Sequence, residues 1–123
     1  MTTPLDIGAQ SNSYEIGHLS CSEFRLKTSG VKYIVTCSQQ GVFQLFAQSC
    51  NYHAELAEAM RGTGKLSAEN SILGGGKLRK STIDKSVSLV GKSSEYGEEP
   101  EEVRHAFRPL VVAKLKEMGI DVV

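Results

Sequence analysis

Between residues 71 and 80 a strand-like run, Ser-Ile-Leu-Gly-Gly-Gly-Lys-Leu-Arg-Lys, is interrupted by three consecutive glycines, Gly74, Gly75 and Gly76. Glycine inside a strand gives up the most backbone entropy and brings no side chain to pack, so three in succession require a structural reason. The physical options are a bulge, a sharp bend, or a place where another backbone or a ligand comes very close. A bent strand with no ligand and a strand that receives one both satisfy the pattern. The run is neither a P-loop, since GxxxxGK[ST] is absent, nor a dinucleotide fingerprint, since GxGxxG is absent.

The elements around this run read in sequence. Residues 31–37, Val-Lys-Tyr-Ile-Val-Thr-Cys, are β-branched and aromatic and predict a central strand with Lys32 at its start. A short turn over 38–41 leads to a second strand over 42–48, and the two form a hairpin. Asn51 is a suitable N-cap for the helix formers Ala54 to Met60, and the helix ends near Arg61-Gly62-Thr63-Gly64. Its apolar face is narrow, with Leu56 and Met60 one turn apart. Upstream, residues 16–26 are irregular and admit an edge strand; downstream, 85–91 alternates as a half-buried strand paired antiparallel with 71–80. Pro109 lies only nine residues past Pro100. An interior proline costs roughly 3 kcal/mol, so the second helix is expected to start at Pro109 and run to Met118, with 103–107 a turn carrying His105. Gly119 caps it, and 120–123 supplies a last edge strand. The result is an α+β fold: a single domain over 14–123, a mixed sheet of about five or six strands with two helices packed on it, preceded by a flexible tail over 1–13.

Composition removes several functions. The 123 residues carry 14 basic and 14 acidic side chains, so the broad positive field of a general nucleic-acid binder is missing and anion recognition must be local. Cys21, Cys37 and Cys50 are odd in number and lack CxxC spacing, which argues against a disulfide framework and a zinc site. No apolar run approaches the roughly 18 residues of a membrane span, and no leader pattern opens the chain. The expectation is a cytoplasmic protein that is neither secreted nor inserted, a monomer needing no cofactor, with no nucleic-acid or membrane partner.

Candidate chemistry concentrates where the second strand gives way to the first helix, at Cys50-Asn51-Tyr52-His53-Ala54-Glu55. The positive end of a helix disfavours imidazolium, so His53 in the first turn is expected to be neutral near pH 7, while the open amides hold an anion. A polar histidine in a solvated first turn, contributing little packing, fits the same residues. Lys32 is either a strand-end cation reaching water along its stem or a phosphate-facing one. Lys77, Arg79, Lys80, Lys85 and Lys92 concentrate positive charge around the 71–91 hairpin, by default a solvated face. The loop over 91–97, Gly-Lys-Ser-Ser-Glu-Tyr-Gly, is suited to presenting amides and a hydroxyl to an anion.

These pieces, in this order, resemble the phosphohistidine phosphatase family, also called the janus and ocnus proteins. The resemblance rests on Gly30-Val31-Lys32-Tyr33, Tyr52-His53-Ala54, Leu73-Gly74-Gly75-Gly76-Lys77, the 91–97 loop and His105-Ala106, and covers the chain from about residue 30 onward. It implies metal-independent removal of phosphate from phosphohistidine-bearing proteins, with His53 as base or nucleophile. It further implies that Lys32, Ala54, Ser93, Ser94 and Glu95 hold the phosphate, Ser93 directly and the others by charge or backbone amide, with Tyr52, Lys77 and His105 in support. The family often carries an arginine in the strand entering the first helix, whereas this chain has Gln44-Leu45-Phe46, and Glu98 and Glu99 add negative charge after the loop. A relative that binds a phosphorylated partner through the same pocket without turning it over is the alternative.

Overall fold

A computed structural model describes residues 13–20 and 30–123. The described elements are strand β1 (Ser13–Ser20), β2 (Val31–Cys37), β3 (Val42–Gln48), helix α1 (His53–Gly62), β4 (Ser71–Lys80), β5 (Val87–Val90) and helix α2 (Glu101–Glu117). The five strands form one mixed sheet in the order β1-β3-β2-β4-β5. β1 runs parallel to β3 at one edge, and the other three pairings are antiparallel. The α+β domain with a mixed sheet and two helices is therefore as expected. The expected tail over 1–13 lies outside the described residues except for Ser13, which opens β1.

The two helices cover opposite faces of the sheet. On β2, Tyr33 and Val35 point into a large core with Leu45, Leu78, Val87 and the Val103, Phe107, Val111 and Leu115 stripe of α2. Ile34 points the other way, into a smaller core with Phe46 and the α1 residues Leu56, Ala57 and Met60. Burial on both faces explains why residues 31–37 read as a continuous apolar run. Because the smaller core uses few side chains, α1 shields only part of its face, and the end of the sheet carrying Lys32 and Lys77 is left half-buried.

The triple glycine accommodates neighbours on both faces of β4. A Cβ at Gly74 would lie 2.3 Å from the Glu99 amide nitrogen, and one at Gly76 would lie 2.5 Å from the Val90 carbonyl oxygen. At Gly75 it would meet the Tyr33 carbonyl at 2.4 Å and the His53 ring at 3.0 Å. The segment after β5 is laced to this point: Gly75 N–H donates to the Gly97 carbonyl, and Ser93 N–H to the Gly75 carbonyl. Close approach, with a register irregularity in the β2–β4 pairing next to it, is thus the reason for glycine here.

Three expectations are corrected. Helix α2 begins at Glu101, not Pro109, and carries Pro109 inside it. The exposed proline lies off the stripe at 103, 107, 111 and 115, and four buried side chains at about 1.5–3 kcal/mol each outweigh a proline penalty of roughly 3 kcal/mol. Glu101 and Glu102 sit in the first turn, where they complement the helix dipole. Residues 120–123 are not a strand: Ile120 and Val122 are buried, but Ile120 N–H closes the helix end on the Leu115 carbonyl, with Gly119 at φ 80°. Asn51 is not the N-cap; that position belongs to Tyr52, and no side chain caps it.

A buried ionic group ties α2 and the 91–100 segment to the sheet. Glu99, 2% exposed, accepts hydrogen bonds from the Tyr33 hydroxyl and from Arg104, whose guanidinium also reaches the Gly91 carbonyl at 2.7 Å. Glu99 therefore lies on the α2 side of the sheet, opposite His53. Among the described residues no helix is long and apolar enough to cross a membrane.

The close contacts at Gly75 make a stability test. Gly75→Ala should lower stability by about 1–3 kcal/mol in denaturant unfolding, because the added methyl meets rigid backbone rather than a movable side-chain end. Gly62→Ala, where nothing lies within 4 Å of the added atom, should leave stability unchanged or raise it. Equal effects would remove close packing as the reason for the glycine run.

Candidate active site

A cleft of about 530 Å³ opens at the end of the sheet that α1 leaves uncovered. Its walls come from the start of β2 (Lys32), the approach and first turn of α1 (Asn51 to Ala54), β4 (Lys77 and Arg79) and the loop after β5 (Val90 to Glu95). Of the residues expected from sequence, Lys32, Tyr52, His53, Ala54, Lys77, Ser93, Ser94 and Glu95 all meet here. His105 does not. It stands exposed on α2 and lines a separate hollow with Glu101, Arg104 and Arg108, so the turn expected to carry it is helix instead.

His53 is anchored rather than loosely exposed. Its residue exposure is 9%, and its Nε2 lies 2.9 Å from the Gly76 carbonyl oxygen. The solvated first-turn reading, with little packing, is therefore corrected: the ring lies on the glycine run, which alone lets it approach. A carbonyl oxygen can only accept, so Nε2 carries the hydrogen and donates it, and Nδ1 keeps the lone pair. Nδ1 has no partner among the described residues. Nor is it sealed in, since the one fully buried side-chain polar atom without a partner there is His18 Nε2.

The surroundings also hold the ring neutral. Burial lowers the His53 pKa below its ordinary 6.5; the Gly76 carbonyl opposes this, Lys32 and Lys77 reinforce it, and Glu95 opposes it. The uncapped helix start supplies donors. The Tyr52 carbonyl accepts from the Glu55 and Leu56 amides, while the His53 and Ala54 amides have no partner among the described residues.

Lys32 and Lys77 stand directly opposite each other on β2 and β4, on the face that carries His53. Like charges at such positions destabilise a sheet, and an anion between them reverses the sign. Lys92, in the loop after β5, lines the same cleft. Ser93, which lines the cleft as expected, also organises its own loop. It is buried, and its hydroxyl accepts from the Glu95 amide at 3.1 Å and the Tyr96 amide at 3.0 Å, so it shapes the loop that carries Ser94 and Glu95 over the cleft. The loop's return to Gly75 is closed by the Ser93–Gly97 bridge, with Gly97 at φ 77°.

Sequence reasoning missed two features of the site. Asn51, read as a cap, is a wall residue, and the Gly76 carbonyl is the partner that sets the His53 tautomer. The glycine run pointed to a close approach there, but not to which group approaches. Among the described residues no three His, Cys, Asp or Glu side chains cluster as a metal-binding set.

The electrostatic account predicts the ionisation of His53. Its imidazole should titrate below 6.5 in an NMR pH series, and Lys32→Ala or Lys77→Ala should each raise the midpoint, since each removes a repulsion on imidazolium. The unfolded chain protonates this histidine near 6.5 and the folded one only at lower pH, so His53 makes stability fall as pH drops below 6.5. A wild-type midpoint above 6.5, or one unmoved by both variants, would contradict the account.

No curated protein matches the chain. A family model described as Janus/Ocnus matches residues 23–108, well over half of the sequence and inclusive of every cleft residue named above. The chain belongs to the Janus/Ocnus family.

Proposed function

We propose that the protein is a protein phosphohistidine phosphatase that hydrolyses the P–N bond without a metal, using His53. The observation that carries this reading is a fixed Nε2–H donor bond to Gly76 beside an Nδ1 and cleft cations that have no partner among the described residues. A base or nucleophile for a phosphoryl group must be neutral, oriented and surrounded by positive charge, and His53 meets all three requirements.

Two routes fit. In one, Nδ1 attacks phosphorus, the P–N bond to the substrate imidazole breaks, and the departing nitrogen takes a proton from solvent; water then hydrolyses phospho-His53 to phosphate. In the other, water attacks phosphorus directly and Nδ1 accepts its proton, while the P–N bond breaks and the departing imidazole nitrogen takes a proton from solvent. In both, Lys32 and Lys77 neutralise the phosphoryl oxygens and the amides of Ala54 and Ser94 donate to them. Imidazole protonated on its departing nitrogen is a good leaving group, so a proton from solvent suffices and no dedicated acid is needed beside it.

The binding-only alternative rested on the missing strand arginine and the added acids. None of Gln44, Leu45 and Phe46 lines the cleft: Leu45 is buried on the α2 side, and Phe46 lies under α1. Glu99 is held by Tyr33 and Arg104 across the sheet. Neither departure takes a ligand from the site or adds a charge to its wall, which favours turnover.

Matched peptides bearing phosphohistidine, phosphotyrosine or phosphoserine, incubated in excess EDTA, provide the test. The phosphohistidine peptide should have the highest kcat/KM, and His53→Ala should reduce its turnover at least 100-fold, the lower end of typical general-base contributions. Folding of the variant is checked by circular dichroism. A preference for an O-phosphate, or loss of activity restored by a divalent ion, would overturn the assignment. Tight binding of the phosphohistidine peptide with no turnover would establish the binding-protein alternative.

A further inference from the structure

The cleft holds more positive charge than one phosphoryl group requires. Lys32, Lys77, Arg79 and Lys92 line it against the single carboxylate of Glu95, and among the described residues none of the four cations forms an ion pair. Other basic side chains are engaged: Arg104 with Glu98 and Glu99, Lys85 with Asp121, and Arg108 with the Val87 carbonyl. A phosphoryl group brings about two negative charges. Lys32 and Lys77, paired across the strands next to Gly76, are placed to meet them.

Arg79 is left over by this pairing. It lies two residues beyond Lys77 on β4, so it shares the face of Lys77 and stands about 7 Å further from the His53 anchor. Opposite it on β5 is Ser88, which is uncharged and exposed. Its guanidinium is exposed, planar and able to grip an anion in bidentate fashion. An extended peptide places the side chains of residues i and i+2 on one side, also about 7 Å apart. The spacing of cations along β4 therefore matches the spacing of alternate side chains in a substrate strand.

We propose that Arg79 forms an outer anion subsite that receives an acidic side chain two positions from the phosphohistidine in an extended substrate. The subsite rests on the phosphohistidine reading of the inner cleft. A phosphorylated serine at the same position offers the same anionic chemistry, and the test separates the two sources.

The probe is a fluorescent peptide carrying a non-hydrolysable phosphohistidine analogue, titrated by anisotropy at low salt against the full chain. Versions carry alanine on both sides, aspartate two positions before, aspartate two positions after, or phosphoserine in either place. One aspartate position should tighten binding about 3–10-fold over alanine, and R79Q should abolish that ratio while H53N, which keeps the wall cations, should retain it. Phosphoserine exceeding alanine where aspartate does not would reassign the subsite to phosphate and overturn the acidic-residue proposal. Equal binding of the alanine and aspartate peptides, or an aspartate preference that survives in R79Q, would also overturn it. Turnover of phosphohistidine peptides with no flanking preference leaves the phosphatase reading standing and removes the subsite. An aspartate preference without any turnover does the reverse.

Discussion

The site depends on a single hydrogen bond, from Nε2 of His53 to the carbonyl of Gly76, and on the absence of side chains that lets it form. A Cβ at Gly75 would press on the imidazole and on the Tyr33 carbonyl, and one at Gly76 would strike the Val90 carbonyl. The same glycines admit the Ser93–Gly97 loop, which Gly75 holds through both its amide and its carbonyl. Ring, loop and strand are thus registered against one another by three residues that contribute space and, at Gly75 and Gly76, backbone hydrogen bonds. The orientation of the ring follows, and with it the tautomer that leaves Nδ1 basic.

The second constraint is electrostatic. A lysine opposite a lysine is a poor cross-strand pair, and the uncapped helix start leaves amides without partners among the described residues; an anion relieves both. Both lie at the part of the sheet that α1 fails to cover. The contrast with the opposite face is instructive. There Glu99 is fully enclosed but supplied with Tyr33 and Arg104, so its charge is spent on holding the loop segment and α2 in place. One face uses its charges to fix structure, and the other keeps them available.

Much of this arrangement was legible because it rests on local chemistry. The β-branched run at 31–37, the hairpin that follows, and helix formers after a polar junction all act over a few residues; His53 stood out from its place among them, while Lys32 and Lys77 were drawn to the site by the family resemblance. What escaped was set by tertiary contact. Pro109 argues against a helix through it, yet the buried stripe from Val103 to Leu115 overrides that preference. Asn51 has the chemistry of a cap but sits one residue too early. Ser93 was expected at the cleft, but its hydroxyl's bonds to the Glu95 and Tyr96 amides were not legible. His105 carries a suggestive neighbour in Ala106 and lies on α2, away from the cleft. No spacing rule links Gly76 to His53, because their contact joins a helix to a strand 23 positions on.

The tautomer of His53 is the point on which the account turns, and long-range proton–nitrogen correlation on ¹⁵N-labelled protein at pH 7.5 reads it directly. The account predicts a neutral ring with a protonated, slowly exchanging Nε2 and a lone-pair Nδ1 whose shift responds to added inorganic phosphate. A ring protonated on Nδ1, or an imidazolium at that pH, would contradict it.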